Sequence, residues 1–322
     1  MNAPALSIIV PTYNRAAFLG RALESAVRQS WTDFELIVVN DASTDETAAL
    51  LADLQTREPR LRVIQHQHGR HGPAAARNLG LAQARGTWVA FLDSDDEWEA
   101  DKLASFMAAT ADDVVFVGSN YHIVEGHDKP AQTMWGFLET VMFPWWRNDA
   151  LSRIIPVDTL QAQPARLAER DIMRAMTIGG FLWPQTSSVM VRRDAVEAAG
   201  RFDEGLARTE DMDLWLNLMD HGRFVYLERP LARYHIEGRA NANGARYDTH
   251  AAGRRHDAYR EMKAHLRMLK SLPRRFPLSP DARAILGQRI RAYHTYCAKA
   301  AEKKHPLLAR WHHWRARPER AP

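Results

Sequence analysis

Only one cysteine, Cys297, occurs in the 322 residues, so no internal disulfide can form and no cysteine pair stands at metal-ligand spacing. A reducing cytoplasm suits such a chain. No stretch of ~18 consecutive apolar residues, as a membrane-crossing helix needs, occurs. The first ten residues lack the basic start of a secretory leader and hold only the short apolar run 6–10. The expectation is a cytoplasmic protein, soluble or peripheral on the inner face of a membrane. Three catalytic signatures are missing as well. No G-x-G-x-x-G follows the first apolar run, no lysine-bearing phosphate loop occurs, and G-x-S-x-G is absent. Dehydrogenase, P-loop NTPase and α/β-hydrolase readings fall with them. There is no internal repeat and no low-complexity tract.

What is present is a chain that is 46% hydrophobic, enough for one large domain, or one and a half, with a substantial core. The net charge of +4 conceals a division. Residues 251–322 carry 18 Lys and Arg against 5 Asp and Glu, a balance of +13, while residues 1–250 carry 25 against 34, a balance of −9. A basic tail on an acidic body is either a solvated helical face or a surface attracted to lipid headgroups, a lipid-linked phosphate or nucleic acid. No nucleic-acid motif supports the last. The aromatic segment 134–146 has the same two readings, core packing or an interfacial anchor.

Between residues 6 and 117, apolar β-branched runs at 6–10, 35–40, 61–65 and 88–92 alternate with amphipathic or alanine-rich segments. That rhythm predicts an α/β fold, stacked βα units around a mostly parallel twisted sheet flanked by helices. Further strands are predicted at 114–117, 187–191 and 223–227, with helices starting near Asp194 and running through 211–219. After Thr249 the spacing predicts two or three helices, broken at 272–273 and 277–280.

Ligands of open α/β sheets sit beyond the carboxyl ends of the strands, and here those ends are polar and acidic. Asp93-Ser94-Asp95 places two carboxylates one residue apart, able to converge on a hard divalent cation. Equally, Asp95 or Asp96 could cap a helix starting near Glu97. Asp41 is either the cap of the following helix or a carboxylate that accepts the imide N–H of uracil or thymine, beside Tyr13 as a stacking ring. Arg77 is either a surface arginine or a diphosphate ligand. His66, His68 and His71 match no strong zinc spacing and are read as a loop. Glu210 and Asp211 open a helix whose dipole favours acids at its start.

Taken in order, these pieces resemble the family-2 glycosyltransferases of GT-A fold. The matching residues are Ser7-Ile8-Ile9-Val10-Pro11-Thr12-Tyr13-Asn14-Arg15, Val39-Asn40-Asp41-Ala42-Ser43-Thr44-Asp45, Ala76-Arg77-Asn78-Leu79-Gly80 and Phe91-Leu92-Asp93-Ser94-Asp95-Asp96. Beyond them come Thr186-Ser187-Ser188-Val189-Met190-Val191-Arg192-Arg193, Gly200-Arg201-Phe202-Asp203-Glu204 and Glu210-Asp211-Met212-Asp213-Leu214-Trp215-Leu216.

The resemblance implies a nucleotide-sugar half at 1–118, an acceptor half carrying the base at 119–248, and a basic helical extension at 249–322. It implies an inverting transfer from a UDP- or dTDP-linked sugar to a saccharide or lipid-linked acceptor, with Mn²⁺ or Mg²⁺ and without nucleic acid. Pro11, Thr12, Tyr13, Asp41, Arg77, Asp93 and Ser94 would bind the donor. Asp93, Asp95 and His235 would hold the metal, Glu210 and Trp183 would line the acceptor side, and Asp211 would be the base. His235 departs from the family pattern in having Ala232 where an aromatic is usual. A non-catalytic sugar-nucleotide scaffold and a sugar-phosphate nucleotidyltransferase are the competing readings.

Overall fold

The apolar runs at the start of the chain are continuous because both of their faces are covered. Every residue of β1 (Leu6–Thr12) and β2 (Phe34–Asn40) is buried, and successive side chains alternate between two cores. Ile8, Val10, Leu36 and Val38 pack with Leu19, Leu23, Leu103 and Phe106 on one face, while Ile9, Ile37 and Val39 pack with Phe91, Phe116 and Trp215 on the other. The computed structural model in which this is seen describes residues 3–66, 72–124, 132–134, 174, 177–178, 184–206, 209–235, 258–301 and 306–316. Trp183, His68, His71 and all of the aromatic segment except Met134 lie outside the described residues.

After β1 and β2 come β3 (Leu61–Gln65), β4 (Trp88–Phe91), β5 (Glu97–Trp98), β6 (Val114–Val124), β7 (Gln132–Thr133), β8 (Val189–Arg192) and β9 (Arg223–His235). The helices are α1 (Ala16–Val27), α2 (Thr47–Arg57), α3 (Pro73–Gln83), α4 (Lys102–Ala108), α5 (Arg193–Ala198), α6 (Glu210–Leu218), α7 (Ala258–Arg275), α8 (Pro280–Ala301) and α9 (Pro306–Arg315). One sheet runs in the order β3-β2-β1-β4-β8-β6-β9-β5, with β7 on β6. Its first four strands are parallel, and the remainder is mixed: β8 is antiparallel to β4 and β6, while β9 runs parallel to β6. The boundary expected at 118 falls inside β6, so the two halves share a sheet. The connections reverse direction around β1, which has β2 on one side and β4 on the other, and this opens a crevice beyond the strands' carboxyl ends.

Two expectations need correction. The helix expected near Glu97 begins at Lys102, because Glu97 and Trp98 pair with Arg233 and Ala232 of β9 instead. Neither Asp95 nor Asp96 therefore caps it. The break expected at 272–273 does not occur either, since α7 continues through Pro273 to Arg275. Proline forfeits one helical hydrogen bond, and the burial of Leu269, Leu272 and Phe276 holds the last turn in place.

At the amino ends of the strands, Glu35 staples four segments. Its carboxylate accepts from Ser7 Oγ (2.8 Å), the Arg85 backbone N–H (2.7 Å) and side chain (3.0 Å), and Arg62 (3.0 Å). Burial works against ionisation, yet these donors outweigh it and hold the carboxyl below its ordinary value of 4.5. A lowered folded pKa gives stability that is present above the unfolded value and lost as pH falls through the folded one. Glu35→Gln should therefore cost about 1–3 kcal/mol at neutral pH, with the deficit shrinking below pH ~4. Urea unfolding at the two pH values checks this, and a deficit that grew on acidification would contradict it.

Candidate active site

The turns that end β1 and β2 are laced to one another. Asn14 adopts a left-handed backbone (φ 51°) and Ala42 another (φ 60°). Asn14 N donates to Ser43 Oγ (3.0 Å), Thr44 N donates to Asn14 Oδ1 (2.8 Å), and Ala16 N donates to Asp45 Oδ2 (3.1 Å). Asp45 also receives Thr47 N (3.1 Å), so it, and not Asp41, opens α2. The Asp41 carboxylate instead accepts from Gly72 N (2.8 Å) and faces His66 Nδ1 at 3.1 Å. Pro11 and Thr12 are buried beside it, and Tyr13 is half-buried.

Arg77 is not a surface residue. Gly80, one turn later on α3, lies so close to β1 that a Cβ there would stand 2.5 Å from Ile9 Cγ2. This approach sets the guanidinium, 4% exposed, at the strand ends. One terminal nitrogen donates to Asp93 Oδ1 and the other to Glu210 Oε1, both at 2.7 Å. Burial opposes its charge, but Asp93 and Glu210 outweigh burial and raise its pKa above the ordinary value. The guanidinium thus joins the end of β4 to the start of α6, where Glu210, Asp211 and Asp213 crowd the first turn and Thr209 is left-handed (φ 69°).

A second set of contacts, which the sequence did not single out, fixes the acidic loop. Asp96 is fully buried; its Oδ2 accepts from Ser187 Oγ (2.5 Å) and its Oδ1 from His235 N (3.1 Å). Ser187 Oγ also accepts from Asp93 N (3.0 Å), and Trp98 Nε1 donates to Ser187 O (2.7 Å). Thr186 Oγ1 lies 3.4 Å from Asp211 Oδ2. A short helical turn at Thr186–Ser188 therefore touches both the strand-end acids and the helix-start acid. Arg15 and Arg21 line the other side: Arg15 Nε is 3.8 Å from Asp95 Oδ2, and Arg21 donates to Asp95 O (2.8 Å). Their signal was available in the motif that ends in Arg15, and in the spacing of Arg21 one turn and a half further along α1.

Asp93, Ser94, Asp95 and His235 thus meet at one end of the sheet, with Glu210 and Asp211 joined through Arg77. The His235 ring is engaged by Glu97, with Nε2 2.7 Å from Oε1. Among the described residues, no three His, Cys, Asp or Glu side chains already form a metal cluster. The donors nonetheless suit a hard cation. Burial, and then the charge of Asp93, push the Asp95 carboxyl up, while Asp96 is pushed well up by burial and by both neighbours. Such crowding of oxygen ligands is what a divalent ion relieves.

A half-parallel sheet with an acidic crevice at its switch point, closed by a second acidic helix, is the GT-A glycosyltransferase fold. Staphylococcus aureus TarS, residues 1–349, superposes with a TM-score of 0.59 at 19% identity, over 97% of this chain and 78% of that one. The mannosyltransferase PcManGT of Pyrobaculum calidifontis, solved with GDP-Man and Mn²⁺, gives 0.59 at 18% identity over 96% and 78%. Residues 7–162 match the family described as "Glycosyl transferase family 2". Over 278 residues the chain is 27% identical to the Campylobacter jejuni GalNAc(5)-diNAcBac-PP-undecaprenol beta-1,3-glucosyltransferase, covering 86% of this chain and 77% of that protein. It is 29% identical to the putative teichuronic acid biosynthesis glycosyltransferase TuaG of Bacillus subtilis, over 72% and 79%. The chain is thus similar to glycosyltransferase family 2 over its amino-terminal half, on the fold of the GT-A glycosyltransferases.

Removing the guanidinium strands two carboxylates. Arg77→Leu should lose about 3–5 kcal/mol of stability, and adding Glu210→Gln should restore part of it, as read by urea unfolding. An unchanged midpoint in the single variant would show that the bridge holds nothing.

Proposed function

We propose that this chain moves a glycosyl group from a nucleoside-diphosphate sugar, UDP- or dTDP-linked, to an acceptor hydroxyl with inversion at the anomeric carbon. The observation that carries the reading is the Arg77 bridge, which holds the start of α6, and so Asp211, against the strand-end acids. Residues 1–118 would supply the donor side and residues 119–248 the acceptor side. At the donor side, Asp41 is held by Gly72 and His66 and would accept from the base, with Tyr13 as its stacking partner. Pro11, Thr12 and Ser94 complete that wall.

Asp93 and Asp95, with His235 turned from Glu97, would hold Mn²⁺ or Mg²⁺, which when bound supplies positive charge to the leaving diphosphate. Asp211 takes the acceptor proton as the acceptor oxygen bonds to the anomeric carbon. The bond from that carbon to the diphosphate oxygen breaks, and its electron pair leaves with the nucleoside diphosphate. One carboxylate suffices for such a single displacement, and a base of this kind contributes on the order of 10²- to 10⁴-fold. Glu210, neutralised by Arg77, positions the helix that presents Asp211. The relatives' names, undecaprenol-linked in one case and teichuronic acid biosynthesis in another, support an acceptor in glycolipid or polysaccharide assembly. Solved neighbours hold UDP-GlcNAc and GDP-Man, so the base is best decided by titration.

Asp211→Asn keeps the side-chain shape and removes the base. Transfer should fall by on the order of 10²-fold or more while nucleoside-diphosphate affinity stays within a factor of about two, and retained turnover would rule Asp211 out. Calorimetry with UDP, dTDP and GDP, and NAD as a control, in Mn²⁺ and then EDTA, tests the donor site. One diphosphate should bind only with metal and weaken at least about tenfold in Asp95→Ala, a loss of ~1.4 kcal/mol. Failure of all three to bind in Mn²⁺ would favour a non-catalytic scaffold.

A further inference from the structure

The described residues leave four large hydrophobic side chains exposed, and all four lie in the last two helices: Tyr296, Leu308, Trp311 and Trp314. On α9 the division of faces is sharp. Ala309 and His312 are buried inward, while Trp311 is 47% and Trp314 60% exposed. Leu308, Trp311 and Trp314 follow one another at three-residue steps and so share a face. Of the exposed arginines of α9, Arg310 borders this face and Arg315 lies within it.

Beside this face runs a stripe of charge. Lys263, Arg267, Lys270 and Arg274 are all exposed, and spacings of four, three and four residues align them along one side of α7. The two features adjoin, because Lys270 Nζ lies 5.9 Å from the centre of the Trp311 ring. They belong to the segment whose balance is +13. Tryptophan rings with rows of Lys and Arg beside them match the two layers of a bilayer surface: the rings enter the headgroup boundary and the cations meet anionic phosphates.

We propose that α7 and α9 form a docking face for an anionic lipid bilayer, with Trp311 and Trp314 as the inserted anchors and Lys263, Arg267, Lys270 and Arg274 as the headgroup contacts. The proposal stands on the C-terminal helices alone. It deepens the proposed reaction by placing the enzyme where a lipid-linked acceptor would be presented. A polyanion such as nucleic acid would use the stripe but would leave the indole face without a role.

The test is co-sedimentation of the full chain with vesicles of phosphatidylcholine, or of phosphatidylcholine mixed with phosphatidylglycerol, at low and high salt. Binding is expected only to the mixed vesicles and should weaken as salt rises. Each stripe cation removed should weaken it about fivefold, so Arg267→Gln, Lys270→Gln and Arg274→Gln together should weaken it about a hundredfold. Trp311→Ala with Trp314→Ala should weaken binding even at low salt. Equal binding to both vesicle types, binding to neither, indifference to both sets of substitutions, or preference for a DNA duplex over the mixed vesicles would each overturn the proposal. Should a variant fail to fold, the lipid and salt selectivity of the unaltered chain decides alone. Vesicle binding needs no turnover, so its failure leaves glycosyl transfer standing, and a failed nucleotide titration leaves the docking face standing.

Discussion

The interaction on which the rest of the site depends is the buried guanidinium of Arg77, held 2.7 Å from Asp93 and 2.7 Å from Glu210. A single carboxylate in that position would be costly to bury, and two of them more so. The delocalised, forked cation of arginine satisfies both from separate nitrogens, which a lysine point charge does not do. What results is a clamp between elements far apart in sequence, one ending a strand and the other opening a helix. Its position is set by packing: α3 can lie on β1 closely enough only because residue 80 has no Cβ.

Around this clamp the chain tolerates unusual backbone. Asn14, Ala42 and Thr209 all have positive φ, a conformation that costs non-glycine residues roughly 1–3 kcal/mol each. All three stand at the crevice, at the ends of β1 and β2 and at the start of α6. At the first two, the hydrogen bonds among Asn14, Ser43 and Thr44 repay the strain. Thr209 has another compensation, since the turn it makes brings Glu210 to Arg77 at once. Among the described residues, three of the four non-glycine positions with positive φ thus stand where side chains must be aimed, and the fourth, Arg201, lies in the turn after α5.

How much of this the sequence disclosed follows from what kind of interaction made each part. The strands of the parallel half were legible because double burial writes a continuous apolar run, and the acids at their ends were legible because of where those runs stop. The helix expected at Glu97 failed because pairing of Glu97 and Trp98 with the distant β9 overrode local propensity. The environment of Arg77 was also illegible: an arginine in an alanine-rich helix looks the same whether its partners are water or Asp93 and Glu210. Asp96 could be read only as a possible helix cap because its partners, Ser187 and the His235 backbone, lie 91 and 139 residues away. Contacts of that range leave no periodic trace. His235 lies beside the acidic loop, with its backbone N–H on Asp96, and its Nε2 meets Glu97, a partner that spacing alone could not indicate.

The C-terminal helices bear on the site through one further contact. Arg275, in the last turn of α7, donates to Asp213 Oδ1 and to Asn217 Oδ1, both at 2.6 Å, so the helix with the basic stripe grips the helix that presents Asp211. The burial of Met268, Leu269, Leu272 and Phe276 in the same core as Trp215 makes that grip part of the packing rather than a surface ion pair. Asp213 is thereby committed to Arg275 and Glu210 to Arg77. Of the three acids in the first turn of α6, two are neutralised by arginines from opposite sides. The acid between them, Asp211, has the Thr186 hydroxyl at 3.4 Å and the Met212 backbone N–H at 2.7 Å among its partners, so the two arginine contacts and these donors together fix the carboxylate proposed as the base.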